Sequence, residues 1–68
     1  MQAIKKFKEL YDFGYIKDIT PTRIEVRCRN AEYGSSIANK IINKHKLKLK
    51  VVNTADMAVY NAFEVIEV

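Results

Sequence analysis

The sequence predicts an α+β two-layer sandwich, in which two helices pack on one face of a four-stranded antiparallel sheet. Three patterns carry the prediction: an apolar stripe at helical spacing near the N-terminus, a strict alternation of apolar and charged residues around Ile24, and a second helical stripe after Tyr33. Such stripes mark helices that pack on a core, and period-two alternation marks a strand with one buried face. At 68 residues, we expect one compact domain, 1–68, without repeats or linkers.

The first helix is predicted over residues 2–13. Ile4, Phe7 and Tyr11 recur at helical spacing, while the charged residues between them fall on the other side. Gly14 then supplies a stop signal, because glycine favours the end of a helix.

The next two segments predict a β-hairpin. Residues 15–19 are short and β-favouring, and Thr20 and Pro21 form a turn, since proline cannot donate to a sheet ladder. After the turn, apolar or small residues alternate with charged ones, which predicts a half-buried strand. The inward set is Thr22, Ile24, Val26 and Cys28, and the outward set is Arg23, Glu25, Arg27 and Arg29.

A second helix follows the hairpin. Asn30 is a candidate N-cap, with Ser35 and Ser36 as alternatives because Gly34 lowers helix propensity. Positive residues at its end suit the helix dipole, and His45 has that role rather than that of a general base. The predicted buried stripe is Tyr33, Ile37, Ala38, Ile41 and Ile42.

Two further strands complete the chain. Leu47, Leu49 and Val51 alternate with Lys48 and Lys50, which predicts a strand, and polar residues 53–56 form a turn. Residues 58–68 are rich in β-formers, with a bulge or bend expected near 61–62, where the alternation slips. A competing interpretation makes residues 55–63 a short helix capped at residue 54.

The element order is therefore αββαββ. This order resembles a ferredoxin-like βαββαβ domain whose first strand has moved to the C-terminus, a resemblance of topology that implies nothing about function. Burying both helix stripes against one face leaves the other sheet face uncovered. The predicted core is Ile4, Phe7, Tyr11, Ile24, Val26, Cys28, Ile37, Ile41, Leu49, Val51 and Phe63.

Charge is concentrated in the middle of the chain. The net charge is +4, yet residues 20–53 carry eight bases and two acids, whereas residues 54–68 carry three acids and no base. A local positive excess favours an acidic partner, whether nucleic acid or protein, although a solvated surface is the alternative. The predicted binding residues on the uncovered face are Arg23, Arg27, Arg29, Lys48, Lys50 and Tyr60, with Tyr15 as a second aromatic platform if it faces outward.

The residues that carry chemistry are few. One cysteine, Cys28, and one histidine, His45, exclude an intrachain disulfide and predict no metal site, no cofactor and no enzyme activity. Cys28 is expected to be a buried structural thiol. A single reduced cysteine suits the cytoplasm, and no apolar run approaches the ~20 residues that span a bilayer.

Two functions fit these patterns. The first is a small non-catalytic interaction protein that binds and modulates, or inhibits, an acidic partner protein or nucleoprotein complex through the basic sheet face. Its size, its wealth of Lys, Asn and Ile and its lack of catalytic groups resemble the style of phage and mobile-element accessory proteins. The alternative is direct RNA or DNA binding by the same face. A domain this small gains stability by association, so either a homodimer or an obligate partner would suit it, and in a homodimer the last strand, 58–68, is the candidate for the exposed edge that pairs.

Overall fold

The computed structural model describes residues 3–53 and 61–68. It contains two helices and a four-stranded antiparallel sheet, which confirms the predicted fold class. The elements, in chain order, are α1 (Ala3–Leu10), β1 (Tyr15–Thr20), β2 (Arg23–Arg27), α2 (Ala31–His45), β3 (Leu49–Asn53) and β4 (Ala62–Glu67).

The strand order in the sheet is β1-β2-β4-β3, and every neighbouring pair is antiparallel. This order is consistent with a ferredoxin-like sheet whose first strand lies at the C-terminus. It overturns the expectation that the last strand is an exposed edge, because β4 is hydrogen-bonded to β2 on one side and to β3 on the other. The edges of the sheet are β1 and β3.

Helix α1 ends at Leu10, three residues before the predicted end at Phe13. The amide of Tyr11 still donates to the carbonyl of Phe7 at 2.9 Å, and the chain then leaves the helix to enter β1. Gly14 is not a left-handed helix stop, since no glycine has a positive φ among the described residues.

Gly14 instead allows the link between α1 and β1 to pass close to Arg27 and Cys28. A Cβ atom at this position would lie 2.6 Å from the carbonyl oxygen of Arg27 and 3.0 Å from the Cβ of Cys28. Backbone atoms cannot give way as a flexible side chain does, so only a residue without a side chain fits between α1 and β1.

Helix α2 begins at the predicted cap. The side chain of Asn30 accepts a hydrogen bond from the amide of Tyr33 at 2.9 Å, which confirms Asn30 rather than Ser35 or Ser36 as the N-cap. At the other end, Lys46 adopts a left-handed conformation with φ 53°, and its amide donates to carbonyls of the last turn.

The core lies between the helices and one sheet face. Every residue predicted for it is buried or packs against it, although Cys28, Ile37, Ile41 and Val51 are only half-buried. The α2 stripe is rotated from the predicted one, so Tyr33 is exposed and Gly34 is buried. The buried residues that the predicted core omitted are Ala31, Ala38, Ile42, Ala62 and Val65.

The last strand begins after Asn61, which has a positive φ of 51° at the predicted bend. Ala62 and Phe63 belong to β4, so the competing helix over 55–63 is wrong for these two residues. The rest of that helix, and residues 58–60 of the predicted strand, lie outside the described residues.

Candidate interaction surface on the open sheet face

Both helices bury their apolar sides in a single core on one face of the sheet. We call the other side the open face. Strand register arranges its side chains in three cross-strand rows. The middle row is Lys17, Glu25, Glu64 and Val52; the flanking rows are Tyr15, Arg27 and Ala62, and Thr20, Arg23, Ile66 and Lys50. Of these residues, Ala62 is buried although it lies on this side of the sheet.

The predicted binding residues do not all lie on this face. The structure places Arg23, Arg27 and Lys50 in its rows. Arg29 lies in the loop after β2, and Lys48 precedes β3, both exposed to solvent. Tyr60, the sixth predicted binding residue, lies outside the described part of the chain.

Two carboxylates lie between the positively charged residues of the open face. Glu25 and Glu64 are direct cross-strand partners, an arrangement in which like charges repel unless cations balance them. The balance comes from the arginines: the Nε of Arg23 lies 3.3 Å from Glu64, and the Nε of Arg27 lies 3.1 Å from Glu25. The open face therefore has mixed charge: sequence alternation placed Glu25 on it, and the register with β4 adds Glu64.

The two lysines of the open face lie on its edges, Lys17 on β1 and Lys50 on β3. Neither forms an ion pair with another residue in the part of the chain that the structure describes. Lysine on an edge strand also hinders unwanted pairing with other chains, so these charges have a structural role beside any role in binding.

An exposed aromatic residue lies on the same face. Tyr15 is 67% exposed and occupies the row of Arg27, while Val52 and Ile66 are half-buried. Tyrosine and arginine are the residue types that most often carry the binding energy of protein interfaces. The sequence predicted Tyr15 as an aromatic binding residue on the condition that it faces outward. Its pairing with Arg27 of β2 shows that it does.

Most of the remaining positive charge lies off the open face. Lys40 and Lys44 are exposed on α2, and Lys46 and Lys48 are exposed in the turn that follows. No acid occurs between Glu32 and the end of β3. The predicted concentration of charge is therefore spread along the outer side of α2 and this turn as well as the sheet.

Two ionisable groups beside the core, Cys28 and Tyr11, have raised pKa values. Burial raises the pKa of the Cys28 thiol, which donates to the carbonyl of Asn30 at 3.4 Å. A thiol with a raised pKa is a weak nucleophile at neutral pH because the thiolate is the reactive form. Burial likewise raises the pKa of Tyr11, whose hydroxyl donates to the carbonyl of Gly34 at 3.1 Å.

Within residues 3–53 and 61–68, no three His, Cys, Asp or Glu side chains are grouped so that they could hold a metal ion. Neither of the two described helices has the length and apolarity required to span a membrane. No protein-family model, curated protein or solved structure matches the chain. We therefore infer function from the geometry and charge of the described residues.

Proposed function

We propose that the protein is a small non-catalytic interaction protein that docks on a partner protein, or on the protein surface of a nucleoprotein complex, and modulates it. The observation that supports this proposal is the open face, which neither helix covers and which presents Tyr15 beside arginines held by carboxylates. Inhibition of the partner by occupying its surface is the simplest form of modulation for such a domain.

The charge pattern favours a protein over a nucleic acid. A phosphate backbone that crossed the sheet would pass over Glu25 and Glu64 in the middle row, and it would compete with them for the arginines. A protein surface with an acidic patch beside a few bases can pair with both signs.

The position of Tyr15 also favours a protein partner over a nucleic acid. Sheets that bind single-stranded nucleic acid stack bases on aromatic residues of the strands. Here the outward residues of the central strands β2 and β4 are charged or aliphatic, and Tyr15 lies on edge strand β1. Direct RNA or DNA binding remains the alternative, supported by the exposed lysines from Lys40 to Lys48.

A standard protein interface buries about 800 Å² on each partner. The accessible surface of this chain is 4810 Å², so such an interface would cover about a sixth of it.

Affinity capture from an extract of the source cells tests the proposal. The bait is the wild-type chain or the open-face variant Tyr15→Ala with Arg27→Ala, and the control carries Tyr33→Ala with Lys40→Ala on α2. We expect wild type and control to retain a stoichiometric protein after nuclease treatment. The open-face variant should retain at least tenfold less, since loss of two interface anchors costs roughly 1.4 kcal/mol or more.

Two results would overturn the proposal. If nuclease removes all retained material, the nucleic-acid alternative is favoured. If the open-face variant, shown by circular dichroism to be folded, captures the same protein as strongly as wild type, the open face is not the docking surface.

A further inference from the structure

A groove of about 550 Å³ lies between helix α1 and edge strand β1. On the helix side it is lined by Ile4, Lys5 and Lys8, and on the strand side by Asp18 and Ile19 among others. The ammonium of Lys8 lies 2.9 Å from Asp18 and ties the helix to the strand at one end of the groove.

The strand that borders this groove has a free edge. Among the described residues, β1 pairs only with β2, so alternate backbone N–H and C=O groups of β1 point away from the sheet. No loop or cap hydrogen bond among residues 3–53 and 61–68 occupies these groups. An extended segment could pair with them, which is a recurring mode of peptide recognition.

The side chains around the groove indicate which residue types a bound segment should contain. The ladder register shifts between Asp18 and Thr20, and the intervening Ile19 is 45% exposed, which offers apolar contact. The groove also has an unpaired cation, because Lys8 is held by Asp18 whereas Lys5 is exposed with no ion-pair partner among the described residues.

We propose that this groove binds an extended acidic segment of a partner protein, which adds to the sheet beside β1 as a fifth strand. Its alternating side chains place apolar groups against Ile19 and a carboxylate beside Lys5. This site does not depend on the docking function of the open face, and the two surfaces together would let one small domain hold two parts of a partner.

A second copy of this chain is a poorer occupant. Two-fold pairing of β1 with itself about its centre would set Lys17 opposite Lys17 of the copy, or Asp18 opposite Asp18, and like charges directly opposite destabilise a sheet.

The test is titration of the isotope-labelled protein with a capped six-residue peptide of alternating Glu and Val, followed by amide NMR. We expect saturable shifts in β1 and around Lys5. Lys5→Glu should weaken binding at least tenfold more than Lys6→Glu, which makes the same charge change on an exposed residue of α1 that does not line the groove. A peptide N-methylated at alternate residues, which lacks the donors for β1, should bind at least tenfold more weakly.

Several outcomes would overturn the proposal: no β1 shifts at millimolar peptide, equal effects of the two charge reversals, or undiminished binding of the N-methylated peptide. A dimer by light scattering with β1 amides already protected would identify a second copy as the occupant and also overturn it. The variant Arg27→Ala, which changes the open face on β2 and leaves β1 intact, should bind the peptide as wild type does, so failure of the open-face proposal is distinguishable from failure of this one.

Discussion

Replacement of Phe63 by alanine is expected to remove a large part of the protein's stability. Phe63 is fully buried on the central strand β4, and its ring meets that of Tyr11 edge-to-face at 6.4 Å. Truncation of a buried phenylalanine costs about 3–5 kcal/mol because it loses apolar burial and leaves a cavity. A 68-residue domain has a total stability of only roughly 3–10 kcal/mol.

Urea unfolding followed by far-ultraviolet circular dichroism measures this effect. The matched control is Phe13→Ala, because Phe13 is 39% exposed and contacts Tyr33 at the surface. We expect the control to lose no more than about 1–1.5 kcal/mol, the value of an aromatic pair. A Phe63→Ala midpoint close to that of the control would contradict the described core.

The second large effect is expected at Gly34 of α2. A Cβ atom there would lie 2.5 Å from the Sγ of Cys28 and 3.1 Å from the hydroxyl of Tyr11. In an exposed helix, Gly→Ala stabilises by about 1 kcal/mol. Here we expect Gly34→Ala to destabilise by about 1–3 kcal/mol, because overpacking of a tight core outweighs the gain in helix propensity.

A double-mutant cycle identifies the cause of that loss. Cys28→Ala removes the sulfur that the new methyl group would meet. The variant with both changes should therefore recover about 1–2 kcal/mol relative to the sum of the single changes, the coupling typical of residues in contact. Strictly additive free energies of unfolding would show that Gly34 and Cys28 do not meet as described.

Local patterns in the sequence were sufficient for most elements and for the inward-facing residues of β2 and β3. The hairpin at Pro21 and the cap at Asn30 depend on neighbours in the chain, so turn and capping chemistry predicted both. The end of α1 was wrong because the close approach of Gly14 to Arg27 is a tertiary contact.

Long-range pairing explains why the candidate surface was only partly predicted. Alternation along β2 placed Arg23 and Arg27 outward, but only the register between β2 and β4 brings Glu64 beside them. The last strand was taken for an edge because its pairing with β2, which lies before α2 in the chain, cannot be inferred from its own residues. A basic face thus became a face of mixed charge, which shifts the proposed partner towards protein.

Hydroxyl-radical footprinting of the purified complex tests most directly the central claim that a partner protein docks on the open face. Tyr15 on the open face and Tyr33 on α2 are 67% and 56% exposed, so they form a matched pair of reporters within one chain. We expect partner binding to slow oxidation of Tyr15 several-fold and to leave Tyr33 nearly unchanged. Protection of Tyr33 with Tyr15 still oxidised at the rate of the free protein would contradict docking through the open face.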